Sequence, residues 1–252
     1  MKVSIITVCF NSAQTIEATF QSVLGQSYGN IEYLVVDGAS TDGTQVLIQR
    51  YSHFISRWVS EPDGGLYDAM NKGLALATGD VIGILNSDDV YAHANVVEHV
   101  VAEMSRTNAD CLYGDLEYVA PNDLQRVVRH WRAGRGGAKH FYWGWMPPHP
   151  TFFARKEVYQ QCGNFDLRFP VASDYEFMLR AMVKMNCKTA YLPEIMVKMR
   201  MGGESNKSLR NRKRSYFENF EAWRVNGIRP YFFTIWFKIL RKVFQFRWIS
   251  PL

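Results

Sequence analysis

Four short runs, "KVSIITVCF", "IEYLVVDG", "ISRWVSEP" and "VIGILN", punctuate residues 1–90, and stretches with helical spacing separate them. The first and last are apolar at successive positions, so a strand built from either has to be covered on both faces. After the first run, Asn11 and Ser12 are residue types that cap helices, and Ile16, Phe20, Val23 and Leu24 then recur at helical spacing up to Gly25. Residues 41–51 and 66–77 read as two further helices. Strand and helix alternating at these intervals imply βαβ units, hence an α/β fold with a mostly parallel central sheet flanked by helices.

Open sheets of this kind bind ligands beyond the carboxyl ends of their strands. The polar residues collect there: Asn11 after the first run, Asp37 after the second, Glu61 and Asp63 after the third, and Asn86 to Asp89 after the fourth. In "ILNSDDVY" the adjacent carboxylates of Asp88 and Asp89 repel each other, a cost that a bound cation would offset. Mg²⁺ or Mn²⁺ binds through one or two carboxylates together with phosphate oxygens. The other reading of such a pair is a turn and helix cap. No GxxxxGK[ST] loop, GxGxxG turn or kinase signature occurs, so phosphates would be held by some other device.

Three segments carry a resemblance. "VSIITVCFNSAQTIEATFQSVLGQSYGNIEYLVVDGASTDGT", "SEPDGGLYDAMNKGLALATGDVIGILNSDD" and "VASDYEFMLRAM" together resemble the family 2 glycosyltransferases of the GT-A fold, in particular bacterial enzymes that build cell-surface polysaccharides. The likeness covers most of residues 1–185. It implies a nucleoside diphosphate sugar donor, with UDP as the nucleotide, a divalent Mn²⁺ or Mg²⁺ ion, and a glycan or lipid-linked glycan as acceptor. Asp37 would accept from the base, Asp88 would contact the ribose, and Asp89 would ligate the metal that bridges the diphosphate. Asn11, Asp63, Asn71 and Lys72 would complete the nucleotide-sugar pocket. Asp174, in "ASDYEF", matches the catalytic base, although Ser173 stands where the family usually has Glu. A carboxylate that takes the acceptor's proton while the diphosphate leaves from the opposite face of the sugar carbon inverts that centre.

Beyond residue 110 the pattern is less regular. "CLYGDLEYV" and "RVVRHWRA" read as strands, followed by a loop rich in glycine and aromatic residues, "AGRGGAKHFYWGWMPPHP". These divide the chain into a nucleotide-sugar half (1–110), an acceptor half (111–205) and a basic, amphipathic helical region (206–252). His149 is a candidate contact to metal or diphosphate, with a structural hydrogen bonder as the alternative. Trp143 and Trp145 are candidates for stacking on an acceptor sugar, with core packing as the alternative. "RMGGESNKS" reads as a lid or a plain connection.

Within "RPYFFTIWFKILRKVFQFRW", helical spacing gathers Thr234, Lys238, Arg241, Lys242 and Gln245 on one face and a broad apolar set, including Phe232, Trp236, Ile239 and Leu240, on the other. That composition suits an interfacial helix on anionic lipid, and a packed helix or a homodimer interface is the alternative. The net charge of +5 is compatible with anionic partners. Nucleic acid is disfavoured as a partner because four acidic strand ends would repel its backbone. Four dispersed cysteines without a CxxC pair suggest neither a zinc site nor a disulfide framework. A cytoplasmic enzyme, peripheral at the inner face of the plasma membrane, is the resulting expectation. A processive synthase would carry QxxRW and membrane spans, which this sequence lacks. A catalytically inactive scaffold on the same fold remains the rival that only activity separates.

Overall fold

The computed structural model describes the backbone of residues 1–202 and 209–244, and side chains within 1–202 and 213–241. Nine strands form one sheet: β1 (Val3–Cys9), β2 (Ile31–Asp37), β3 (Arg57–Ser60), β4 (Val81–Ile84), β5 (Val90–Tyr91), β6 (Cys111–Ala120), β7 (Asp123–Trp131), β8 (Phe153–Arg155) and β9 (Thr189–Arg200). Their order is β3-β2-β1-β4-β8-β6-β9-β5, with β7 paired to β6. The first four strands are parallel, as the βαβ pattern requires. From β8 onward most pairings are antiparallel, and β6 with β9 is the parallel exception.

Helices α1 (Ile16–Leu24), α2 (Thr44–Tyr51), α3 (Leu66–Leu76), α4 (Val96–Thr107), α5 (Ala138–Phe141), α6 (Lys156–Cys162), α7 (Ser173–Leu179), α8 (Leu209–Val225) and α9 (Thr234–Phe244) surround the sheet. Successive β1 residues feed different cores: Ile6 and Val8 join one buried cluster, Val3 and Ile5 the other. This is the period-two consequence of covering both faces. Helix α1 starts later than its expected cap. Ser12 instead bonds Ser87 across the strand ends at 2.8 Å, and Thr15 occupies the cap position without a side-chain hydrogen bond.

The expected C-terminal helical region contains α8 and α9, and Ala222 and Trp223 of α8 and Ile235 of α9 are buried in the same core as the sheet. Three cysteines far apart in sequence come together in the fold. The thiols of Cys111, Cys162 and Cys187 interact, and the Cys111 hydrogen bond pulls the Cys187 thiol below the usual range.

One buried carboxylate ties the start of the sheet together. Glu32 accepts from Lys2 Nζ at 2.6 Å, Ser4 Oγ at 2.5 Å, and Thr78 N and Oγ1 at 2.7 and 2.5 Å. Burial pushes its carboxyl up, but these donors outweigh burial and hold it down to about 2. A depressed carboxylate stabilises the fold above its ordinary pKa of 4.5 and loses that contribution as pH falls toward 2. Glu32→Gln should therefore lower the unfolding free energy by roughly 2 kcal/mol at neutral pH. Urea titrations should find the deficit shrinking once pH drops below the ordinary carboxylate value.

Candidate active site

The loops after β1, β2 and β3 converge on a glycine. A Cβ on Gly38 would meet Asp63 Oδ2 at 2.6 Å and the Phe10 ring at 3.3 Å, so a side chain there would displace the Asp63 carboxylate. Asp37 is fully buried at the end of β2. Its oxygens accept from Ser40 N at 3.1 Å and Ser60 Oγ at 2.6 Å, and Ser40 Oγ also donates to it. It thereby shapes the loop that follows it. Asn11 adopts a positive φ of 48° and accepts from Thr41 N at 2.9 Å, joining the first loop to the second. Asp63 accepts from Gly65 N at 2.8 Å, at the entry to α3.

Two residues of α3 have structural partners. The Asn71 amide donates to the Phe165 carbonyl and accepts from the Phe165 amide, both at 2.9 Å, so it clamps the 163–169 segment to α3 and has a strut's contacts. Lys72 lies 2.8 Å from Glu61 and donates to the Pro62 carbonyl at 2.9 Å. The Glu61 hydrogen bond raises its pKa above the ordinary lysine value.

Beyond β4 the chain makes the turn that carries Asp88 and Asp89. Thr19 Oγ1 of α1 donates to the Asp89 carbonyl at 2.7 Å, and Arg200 Nη1 of β9 donates to the Asp88 carbonyl at 3.2 Å. The Asp88 side chain is partly exposed. The Asp89 side chain is fully buried, and neither carboxylate oxygen has a hydrogen-bond partner among the described residues. Burial, then the neighbouring Asp88 charge, push its carboxyl well above the usual range, and Arg200 offsets only part of this. Asn86 Oδ1, in the same turn, is a second buried acceptor without a partner. Orphaned acceptors are rare because each costs about 1–3 kcal/mol, more when charged. A divalent cation fits this set, being all oxygen and acceptor-only. Asn86 was not singled out from the sequence, where it is one polar residue among four.

Asp174 stands in the first turn of α7 and faces the same cavity as Asn86, with His149 beside it. Tyr67 OH donates to Asp174 Oδ1 at 2.9 Å, and His149 Nδ1 lies 3.3 Å from Oδ2. Burial and the Asp174 charge push the Tyr67 hydroxyl well above its ordinary value, which keeps it a proton donor. The Ser173 position gives no second carboxylate: its hydroxyl donates to the Asp166 carbonyl at 3.0 Å. Tyr67 and His149 do the orienting in its place. Tyr67 was legible only as an apolar helix position, so its role was missed.

The two loop tryptophans differ in their surroundings. Trp145 is 5% exposed, donates its Nε1 to the Ala133 carbonyl at 2.8 Å and packs edge-on against Tyr113 and Phe141, so it is core. Trp143 is exposed on one side but packs against Tyr231, Phe233 and Phe237, anchoring the C-terminal segment. Residues 203–208 of "RMGGESNKS" lie outside the described residues, as does Gln245.

The parallel strands end in acidic residues, and a separate carboxylate, Asp174, lines a cavity with Asn86. The Glycosyl transferase family 2 pattern matches residues 4–164, and the chain belongs to that family. It is 34% identical over 187 residues to an uncharacterized glycosyltransferase of Mycobacterium tuberculosis, covering 71% of this chain and 68% of that protein. It is also 36% identical over 123 residues, 48% of each chain, to an Escherichia coli protein named as a UDP-Glc:alpha-D-GlcNAc-diphosphoundecaprenol beta-1,3-glucosyltransferase. In solved structures the GT-A fold recurs in S. aureus TarS in complex with UDP-GlcNAc, with a TM-score of 0.69 at 20% identity over 90% of this chain and 65% of that one. A mannosyltransferase of Pyrobaculum calidifontis with GDP-Man and Mn²⁺ aligns with a TM-score of 0.69 at 18% identity, covering 96% of this chain and 73% of that one.

The orphaned Asp89 generates a test of sign. Its raised pKa means that the folded metal-free protein holds a proton the unfolded chain has lost, so stability falls as pH rises above 3.8. In EDTA, Asp89→Asn should leave the midpoint of thermal unfolding unchanged or raise it, by the equivalent of ~1 kcal/mol. The wild type should gain stability on adding Mn²⁺ with UDP, and Asp89→Asn should not.

Proposed function

We propose that this family 2 enzyme is an inverting, metal-dependent glycosyltransferase that moves one sugar from a UDP-sugar to a glycan carried on a lipid, in the synthesis of a surface polysaccharide. The observation that carries the reading is the pair of buried acceptors without partners among the described residues, Asp89 and Asn86 Oδ1, in one turn, with Asn86 and Asp174 lining one cavity. One side is suited to a leaving diphosphate and the other to an incoming alcohol. The uridine choice rests on likeness to the E. coli relative and to TarS with its bound UDP-GlcNAc.

Asp89, with Asn86 Oδ1 beside it, would hold a divalent ion, which supplies Lewis-acid stabilisation of the leaving diphosphate. Asp37, Asp63 and Asn11 shape the loops against which the nucleoside would rest, and Asp88 would contact its ribose. Asp174 accepts the acceptor's proton on the face opposite the diphosphate. Tyr67 and His149 fix the orientation of that carboxylate, so that one oxygen lone pair is aimed at the incoming hydroxyl. Pocket-lining Met70, Ile84, Phe152 and Phe177 make the surroundings apolar, which strengthens each polar contact inside.

Peripheral attachment to the inner face of the plasma membrane belongs to the same reading. On α9, Thr234 is buried against the Tyr142 carbonyl at 2.7 Å and Lys238 reaches Asn219 at 2.6 Å, so the polar stripe faces the protein. The apolar stripe faces out: Phe232 is 92% exposed and Trp236 62%. Residues 206–252 hold eleven basic and two acidic side chains, the complement of an anionic lipid surface. No helix among the described residues is long and apolar enough to cross a membrane.

Asp174→Asn should leave UDP affinity within twofold of wild type and reduce turnover by ~10²–10⁴. Calorimetry with UDP and Mn²⁺, beside donor-hydrolysis assays, reads both; near-normal turnover would remove Asp174 from the role of base. For the membrane contact, Trp236→Ser combined with Leu240→Ser should abolish sedimentation with phosphatidylglycerol vesicles while activity on soluble donor persists. Unchanged sedimentation would place the lipid contact elsewhere.

A further inference from the structure

Six residues before Arg200 on β9, two imidazoles close on the carboxylate of Glu194. His93 lies in the loop between β5 and α4, and His99 in the first turn of α4. The chain takes Glu194 out of the ladder to meet them. Strand β9 pairs with β6 through Gly114↔Leu192 and then Asp115↔Ile195, so Pro193 and Glu194 form a two-residue bulge. Gly114 lets that bulge sit close, because a Cβ there would run into Met196 Sδ and come within 3.0 Å of the Glu194 carbonyl. His99 Nδ1 lies 2.8 Å from Glu194 Oε2, and His93 Nε2 lies 2.9 Å from Oε1. The second contact is close in distance but misaligned, for Oε1 is buried and has no hydrogen-bond partner among the described residues. A buried acceptor beside a ring nitrogen that does not bond it is an uncommon arrangement, and a cation shared by the two atoms accounts for it.

The geometry suits such an ion. One nitrogen from each ring and one carboxylate oxygen lie within 4.8 Å of one another, and no other three His, Cys, Asp or Glu side chains among the described residues come together so closely. Two imidazoles and a carboxylate are a zinc donor set, whose atoms lie about 3.3 Å apart around a tetrahedral ion. Opening the two short separations by about half an ångström admits it. The His93 and His99 side chains are 38% and 43% exposed, which leaves room for that movement and gives solvent the fourth position. The Asn95 amide donates to His93 Nδ1 at 3.2 Å, and coordination through Nε2 places the ring proton on Nδ1, so one long hydrogen bond is exchanged for one to water. The acceptors around Asp89 are all oxygens and suit Mg²⁺ or Mn²⁺, whereas imidazole nitrogens favour a softer ion.

We propose that His93, His99 and Glu194 bind one Zn²⁺, with water as the fourth ligand, and that the ion braces the turn holding Asp88 and Asp89. Both sides of the brace lead to that turn. His93 follows Asp89 by four positions, through β5, and β5 pairs with β9 by Val90↔Lys198 and Tyr91↔Val197. The Ala92 amide extends the pairing by donating to the Met196 carbonyl at 2.9 Å, and at the other end Arg200 holds the Asp88 carbonyl. An ion joining His93 to Glu194 therefore closes the short β5–β9 ribbon at the end away from Asp88. The site holds neither donor nor acceptor, so it stands apart from the choice of substrates made above.

The test uses the full chain without a polyhistidine tag. Calorimetry with Zn²⁺ should find a single site, which His99→Gln and His93→Gln each weaken at least ~10-fold and Asp89→Asn retains. Zinc should raise the unfolding midpoint of the wild type but not of His99→Gln, because an ion held only by the folded chain stabilises it. Cooperative unfolding in EDTA checks that the variants are folded; should His99→Gln fail there, His93→Gln, in an exposed loop, carries the comparison. Absence of zinc binding by the wild type would overturn the proposal. Binding that both histidine variants keep would do the same, placing the ion among the thiols of Cys111, Cys162 and Cys187 or marking it as adventitious. Zinc lost in Asp89→Asn alone would assign it to the Asp88–Asp89 turn, and binding without a change in the unfolding midpoint would remove the brace.

Discussion

The carboxylate of Asp89 is buried with neither oxygen hydrogen-bonded to a side chain of the described residues, and Arg200 offsets only part of the cost of its charge. The neighbours are committed to keeping it there. Thr19 grips its carbonyl, Arg200 grips the carbonyl before it, and Ser12 bonds Ser87 in the same turn. Each of these contacts comes from a different strand or helix, so α1, β9 and the first strand end all fix one turn. A chain that needed Asp89 only as a turn residue would have let it face water.

The second carboxylate is held in the opposite manner. Asp174 is fully provided with partners, and the helix that carries it is itself braced from outside the matched family region. Glu218 of α8 accepts from the amides of Val171 and Ala172 at 2.9 and 2.8 Å, just before α7 begins, and Arg214 neutralises its other oxygen. Trp223 donates to the Tyr175 hydroxyl at 2.8 Å, and Asn226 donates to Glu176 at 2.9 Å. Helix α8 is therefore the positioning element for Asp174. This explains why it belongs to the core although its own sequence is strongly polar.

What the sequence made legible, and what it did not, follows the range of the interactions. The four parallel strands and the acidic strand ends are local patterns, written in runs of four to twelve residues and visible there, whereas Asp174 stood out only through the family resemblance. Partners across distance were not visible. Tyr67 meets Asp174 from more than a hundred positions away, and Asn71 spends its amide on Phe165. The tryptophans mislead for a related reason: "WGW" looks like one exposed platform, but the turn at Gly144, with φ of 71°, sends Trp145 inward and leaves Trp143 to the C-terminal segment.

The orientation of α9 is the sharper lesson about amphipathic patterns. Sequence spacing separated its two faces correctly, yet hydrophobicity alone would bury the apolar stripe. Here Thr234 bonds Tyr142, Lys238 bonds Asn219 and Arg241 bonds Trp143, so the polar stripe faces the protein. Three hydrogen bonds at about 1 kcal/mol each do not outweigh the burial of several large side chains, at about 1.5–3 kcal/mol apiece. The arrangement is consequently favourable only if the apolar stripe is not left in water. On the membrane reading proposed above, a lipid surface would supply that missing term.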